Sequence, residues 1–348
     1  MKALLKRKRV IISLLVGLVL LIFVVSFADL HQLEKILTEA NTVWLVLCVT
    51  ASLSSYCCIA AVMYYILLVL REKLPFKDVF EIALLSCSVN YLVAFAGLSG
   101  LAAKIYMLAK ENVMPSKTLS VSILHGFLTN TIAVVFVFLG FYYSFSYFQM
   151  NAYELQFGII VLMIAFLLTW VTIKIMLDSK FRQGFYRLGT TLWNKLTNFR
   201  ITKKWRINKE KADEFFASFD QGMQLLVENV RNLWKPCLYA ALDWGLMILC
   251  LELAFVAVGH PLNFKILIIG FSVNIFTSLF SVVPASLGIM EGAMAGSFTL
   301  MGVSYESALA AVIVYRIAYY LIPMIISVFF YHRFFPRGKE LESESIVS

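Results

Sequence analysis

Six apolar runs, Val10–Ala28, Trp44–Leu70, Thr118–Phe145, Tyr153–Met176, Pro236–Val258 and Tyr305–Tyr331, constrain this chain more than any other feature. Each is near or above the ~20 residues that a helix needs to cross the hydrocarbon of a bilayer. Composition agrees: 61% of residues are hydrophobic and 15% charged, with a mean hydropathy of +0.82. Soluble domains lie nearer ~45–50% and ~25%, so a water-soluble enzyme is excluded. The first run follows Lys6-Arg7-Lys8-Arg9 and ends on Ser26-Phe27-Ala28, which resembles a cleavage site. It exceeds the ~7–15 residues of a signal-peptide core and reads as an uncleaved span.

Two further stretches, Val79–Asn112 and Ile266–Met301, are too long for one crossing and carry small-residue breaks near their middles, Gly97-Leu98-Ser99-Gly100 and Pro284-Ala285-Ser286-Leu287-Gly288. Charge decides how they run. The formal net charge is +9, and thirteen basic against six acidic residues between Lys174 and Lys235 supply +7 of it. That concentration assigns the basicity to one loop and speaks against nucleic-acid binding. Basic loops stay on the cytoplasmic side. With the N-terminus inside, one crossing at Val79–Asn112 would put the +7 loop outside, whereas a hairpin returns the chain to its own side. Counted with hairpins, 26 of the 30 basic residues are cytoplasmic, Lys35 and Lys265 are external, and Lys104 and Arg316 lie at membrane depth. The expectation is an all-α integral membrane protein with six full transmembrane helices plus two broken, re-entrant helical hairpins, both termini being cytoplasmic. Residues 1–345 form one transmembrane domain, and 178–235 are a basic amphipathic cytoplasmic loop within it.

Ser88-Val89-Asn90 and Ser272-Val273-Asn274 occupy the same place ahead of the two breaks, and each break leads to a small-residue half-helix, a turn and a full span. The first hairpin enters from the cytoplasm and the second from outside, so the repeat is inverted, as in many transporter folds. Non-helical backbone at membrane depth is tolerated only inside protein or beside a watery cavity. Gly97, Gly100, Pro284, Gly288 and Gly292 are therefore the candidate hinge positions. Gly288, Gly292 and Gly296 recur every four residues and give a smooth face for close packing.

Ionisable groups in hydrocarbon need a partner or a cavity. Glu291 stands in the second half-helix, Arg316 about halfway along the last span, Lys104 in the first half-helix, and Asp243 and Glu252 on the span from Pro236. Glu291 and Arg316 flank the turn at Gly302–Tyr305 by about twelve residues each, which at ~1.5 Å rise per residue sets them at one depth, able to pair. Asn90, Asn274, His125 and Asn130 add polar groups whose default use is interhelical hydrogen bonding. This set suits a lipid headgroup more than a bare ion: a cation for a phosphate, a carboxylate for an amine, amides for hydroxyls.

In the loop, Phe215, Phe216, Phe219, Met223, Leu226, Val227 and Val230 recur at helical spacing. With Phe181, Phe185, Leu188, Leu192 and Trp193 they suggest a helix pair lying on the inner leaflet, packing against the bundle being the alternative. No phosphate-binding glycine motif or activated nucleophile occurs there. The six cysteines lie in or beside apolar runs and the four histidines are scattered, so no catalytic residue, metal or cofactor is expected.

The run Val283-Pro284-Ala285-Ser286-Leu287-Gly288-Ile289-Met290-Glu291-Gly292, with Gly302-Val303, Ala308 and Arg316, resembles the lysylphosphatidylglycerol synthase transmembrane family, the flippase-like region at the N-terminus of the multiple peptide resistance factor. The first half departs from that pattern, with Phe95-Ala96-Gly97, Gly100-Leu101 and Lys104 where the family shows Pro-Gly and Gly-Glu. The resemblance implies movement of a phospholipid, anionic, aminoacylated or otherwise modified, or of a polyprenyl-linked lipid, between leaflets of a bacterial or archaeal cytoplasmic membrane. Full-length members add a soluble synthase domain; this chain ends in the tail Arg337–Ser348, so intrinsic lysyltransfer is not expected. Two alternatives stay open: the membrane subunit of a separately encoded synthase, and a scaffold, alone or as a homo-oligomer.

Overall fold

A computed structural model describes residues 18–93, 98–147, 152–196, 209–280 and 283–334. No β-strand occurs among them. The helices are α1 (18–25), α2 (Leu30–Thr38), α3 (Thr42–Val69), α4 (Phe76–Leu92), α5 (Leu98–Lys110), α6 (Pro115–Tyr147), α7 (Ala152–Leu177), α8 (Ser179–Leu196), α9 (Lys209–Glu228), α10 (Trp234–Ala257), α11 (Phe264–Phe280), α12 (Ile289–Leu300), α13 (Tyr305–Arg316) and α14 (Ile322–Phe334). A π-helical turn, Ile317–Leu321, joins α13 to α14. Among the described residues, five segments are long and apolar enough to cross a membrane: Thr42–Val69, Pro115–Phe145, Gly158–Leu177, Val230–Ala257 and Tyr305–Phe334. They match five of the six expected runs to within a few residues. The sixth begins outside the described residues, and its part from 18 to 25 is helical. The chain is a multi-pass, all-helical integral membrane protein.

Both long stretches fold as helix pairs, α4–α5 and α11–α12, whose members pack on each other, and the second pair turns at Pro284–Gly288. The neighbours of these pairs repeat. Spans α3 and α10 lie antiparallel, with Cys48 beside Cys250, Ser55 beside Asp243, and Tyr65 stacked on Tyr239. Helix α6, which follows the first pair, packs on α11; α14, at the end of the span that follows the second, packs on α4. Exchanging α3–α6 for α10–α14 leaves these neighbours unchanged.

The pairs open at opposite ends of the bundle. At one end Arg333, near the close of α14, meets Asp78 (2.6 Å) and Glu81 (2.8 Å) at the start of α4 and Glu111 (3.1 Å) just after α5. Lys117 on α6 pairs there with Glu72, at 2.5 Å, in the α3–α4 connection. At the other end the Asn41 N–H donates to the Ala257 carbonyl (2.9 Å), joining the start of α3 to the end of α10. The Tyr305 hydroxyl there donates to the Val24 carbonyl (2.8 Å) and ties α13 to α1. Glu252 serves this end too, its carboxylate accepting the Leu262 N–H (3.3 Å) from the α10–α11 loop.

Helix α7 stands at the edge, with Ile160, Met163, Phe166 and Leu167 exposed. Apolar on all sides and little covered by protein, it has the surface that acyl chains solvate. The basic loop departs from expectation. Helix α9 turns its apolar face to the bundle, where Phe219, Met223 and Leu226 are buried in one core with Val121, Leu124 and Met176. Small side chains permit this: the hydroxyls of Ser116 and Ser218 lie 2.7 Å apart, and Gly222 rests against Ser120. Buried Arg182 holds the corner, donating to the carbonyls of Ile175 (3.0 Å) and Met176 (2.8 Å) and to Asp220 (2.6 Å). Helix α8 keeps Phe185 and Leu188 exposed, and Phe215 and Val227 stay exposed on α9; the side chains of Leu192 and Trp193 lie outside the described residues.

Candidate functional site

The second break is built from unusual backbone. Ala285 (φ 52°), Ser286 (φ 54°) and Gly288 (φ 80°) are all left-handed, a region that costs a non-glycine residue ~1–2 kcal/mol. Gly288 is required twice over, since a Cβ there would lie 2.5 Å from Leu20 Cβ and 2.6 Å from the Leu21 backbone nitrogen. Helix α1 thus crosses the start of α12, and Gly292 receives Val24 one turn on, whereas Gly296 faces open space.

Glu291 and Arg316 hold this backbone. Arg316 Nε lies 2.9 Å from Glu291 Oε1, both side chains being buried. The other carboxylate oxygen accepts the Gly288 N–H at 2.7 Å. Arg316 Nη2 donates to the Ala285 carbonyl (2.6 Å), Nη1 to Met290 Sδ (3.0 Å), and the guanidinium lies over the Tyr320 ring (4.7 Å). All three guanidinium nitrogens are therefore engaged. The pair anticipated from depth is formed, and it holds the backbone of the break through Gly288 and Ala285.

The first break is closed differently. Gly97 lies outside the described residues. Gly100 packs so tightly on α4 that a Cβ would stand 2.9 Å from both Asn90 Cβ and the Ser86 carbonyl. Ser99 donates to the Val93 carbonyl (2.7 Å), with Asn90 Oδ1 at 3.4 Å. Lys104, one turn beyond Gly100, is half-buried. Among the described residues its ammonium has neither an ion pair nor a hydrogen bond; Cys87 of α4 and His125 of α6 are the groups within its electrostatic reach.

A third group sits between the halves. Asp243 is buried and accepts a short hydrogen bond from the Ser55 hydroxyl, whose oxygen is 3.1 Å from the Tyr319 hydroxyl. The Tyr56 hydroxyl donates to the Tyr319 carbonyl (3.0 Å). Asn274 is buried too, its amide 3.5 Å from the Tyr315 hydroxyl and its Oδ1 without a partner among the described residues. The two asparagines of the matching tripeptides thus serve different contacts. Asn130 is exposed.

Sequence reasoning overlooked the aromatic wall that links these groups. Tyr315 stacks on Tyr319 (5.7 Å), Tyr319 meets Tyr56 (5.6 Å), and Tyr320 meets Tyr91 of α4 edge-on (4.8 Å), so tyrosines run from Arg316 to the first hairpin. The signal was available in Tyr315 and Tyr319, four residues apart and so on one side of the last span.

A polytopic bundle with two opposed hairpins and a buried ion pair at the second break defines a class of membrane protein. The chain belongs to the family described as the lysylphosphatidylglycerol synthase TM region, which matches residues 10–327. It is also 32% identical over 118 residues to a UPF0104 membrane protein of Methanothermobacter thermautotrophicus. That match covers 34% of this chain and 33% of the relative, so the chain spans about a third of the length of the relative it matches.

Proposed function

We infer that this chain is a membrane lipid translocase that moves a phospholipid, anionic or aminoacylated like lysylphosphatidylglycerol, between the leaflets of a bacterial or archaeal cytoplasmic membrane. The observation that carries this reading is Lys104: a half-buried ammonium beside a broken helix, without an ion pair or hydrogen bond among the described residues. A cation at membrane depth is costly unless it has a partner, and a phosphate diester supplies one. Backbone N–H groups at the start of α5 add to the attraction.

The division of labour follows from the site. Lys104 and Asn90 meet the headgroup at the first break, while Glu291 and Arg316 hold the backbone of the second break rigid. The two breaks belong to an inverted repeat, with the first hairpin entered from the cytoplasm and the second from outside. Termini and basic loop are cytoplasmic. In such repeats one half rocks against the other, and the junction lies near the midplane.

A second reading is favoured by the family description itself, which names a synthase: the chain serves as the membrane subunit for a separately encoded aminoacyl-phosphatidylglycerol synthase, as one copy or as a homo-oligomer. One experiment separates the two. In cells lacking the protein, amine headgroups are labelled with an impermeant reagent and total lipids are extracted. Translocation predicts unchanged total lipid with altered outer-leaflet exposure; loss of one lipid species would instead assign synthesis.

A further inference from the structure

We propose that Asp243 is a proton-binding site that couples lipid movement to a proton gradient, with Ser55 and Tyr319 carrying its protonation state to the last span. This rests on the translocase reading above and adds its energy source.

Position is the first argument. Asp243 is the fourteenth of 28 residues in the span Val230–Ala257, Ser55 the fourteenth of 28 in Thr42–Val69, and Tyr319 the fifteenth of 30 in Tyr305–Phe334. The three side chains therefore meet halfway through three crossings, one from each half of the repeat and one from the span that closes it. Environment is the second. A carboxyl group in hydrocarbon takes a counter-ion or a proton. The titratable groups that reach Asp243 are Cys58 of α3, Cys87 and Tyr91 of α4, and Tyr319, none of them cationic. Helices α6 and α11 present Phe136 and Phe271 to its neighbour Trp244, and α13 places Tyr315 within reach of Cys250, two turns away. Arg316 is held by Glu291. No counter-ion stands at Asp243 among the described residues, and a proton supplies the neutrality.

Geometry is the third argument. With Asp243 ionised, the Ser55 hydroxyl donates to it. Once Asp243 is protonated, its own O–H donates to Ser55, and the Ser55 hydrogen turns to the Tyr319 oxygen, 3.1 Å away. Tyr319 belongs to the π-helical turn Ile317–Leu321, and such turns recur at functional sites. Ser52, one turn from Ser55 and also fully buried, has a hydroxyl without a partner among the described residues, which provides a next polar step along α3. One proton enters from one side and leaves to the other; no bond other than O–H is made or broken.

Two measurements test the site. In proteoliposomes carrying a headgroup-labelled phosphatidylglycerol, a pH gradient of one unit should shift the steady leaflet ratio about tenfold for one proton per lipid. Asp243→Asn should abolish that response and Asp243→Glu should retain it. An undiminished response in Asp243→Asn, or one that follows a sodium gradient, overturns the proposal. Infrared difference spectra of the detergent-solubilised protein between acidic and alkaline pH read the site without lipid movement. A protonated-carboxyl C=O band should appear in the wild type, move in Ser55→Ala and vanish in Asp243→Asn. Absence of that band from the wild type refutes proton binding on its own, whereas its presence without any lipid movement refutes the translocase reading alone.

Discussion

Arg316 has more than one partner, and this decides how its variants behave. Removing one member of a buried pair costs about 3–5 kcal/mol because the other charge is left unpaired. Glu291→Gln and Arg316→Gln should each lower the thermal stability of the purified protein by that order. A charge-swapped double variant should not recover it. An arginine at 291 cannot accept the Gly288 N–H, and a glutamate at 316 cannot donate to the Ala285 carbonyl, so both bonds of the clamp are lost. Stability restored to the wild-type level by the swap would show that charge pairing alone matters. Glycines give a second contrast within one stripe. Gly288→Ala meets a left-handed φ and the backbone of α1, whereas Gly296→Ala meets nothing within 4 Å. The unfolding temperature should fall sharply for the first and hold or rise for the second, since alanine is favoured over glycine inside a helix by about 0.8–1.0 kcal/mol; equal effects would contradict the seating of α1 on α12. The four-residue spacing of these glycines was legible in the sequence, but not which of them faces a neighbour, because spacing reports a shared side and not what lies against it.

Element identity was legible because run length and hydrophobicity report directly on bilayer crossing. The hairpins were legible through the charge rule: the +7 loop fixed which end of α4–α5 the chain returns to, and the meeting of Arg333 with Asp78, Glu81 and Glu111 sets both ends of that pair together. Helix α9 was read less well. A Phe, Met and Leu face has the same periodicity whether it meets acyl chains or a protein core, and the small residues that let it dock, Ser116, Ser120 and Gly222, come from two distant segments. Cysteines placed at 116 and 218 on a cysteine-free background test the docking. They should cross-link under mild oxidation in native membranes, and failure to do so would return α9 to the lipid surface. Ser55 escaped notice because a lone hydroxyl in an apolar span carries no sequence pattern, although it lies within hydrogen-bonding distance of Tyr319.

For the whole molecule, opposed hairpins and a mid-depth junction imply a fixed orientation and a path for a headgroup. Single cysteines report the first. Position 73, in the α3–α4 connection, should be protected from an impermeant reagent in intact cells and position 32, on α2, should react. External labelling at 73 would reverse the first hairpin and with it the inverted repeat. The path is tested by the chain alone in a lipid membrane. Purified protein is reconstituted into vesicles containing headgroup-labelled phosphatidylglycerol, and the label is quenched from outside with an impermeant reductant. Protein-free vesicles lose the outer half of their signal. Vesicles with the wild-type chain should lose nearly all of it, and Lys104→Ala, with its fold preserved, should fall back toward half. A wild-type signal that stops at half, in protein shown to be folded, would contradict lipid translocation.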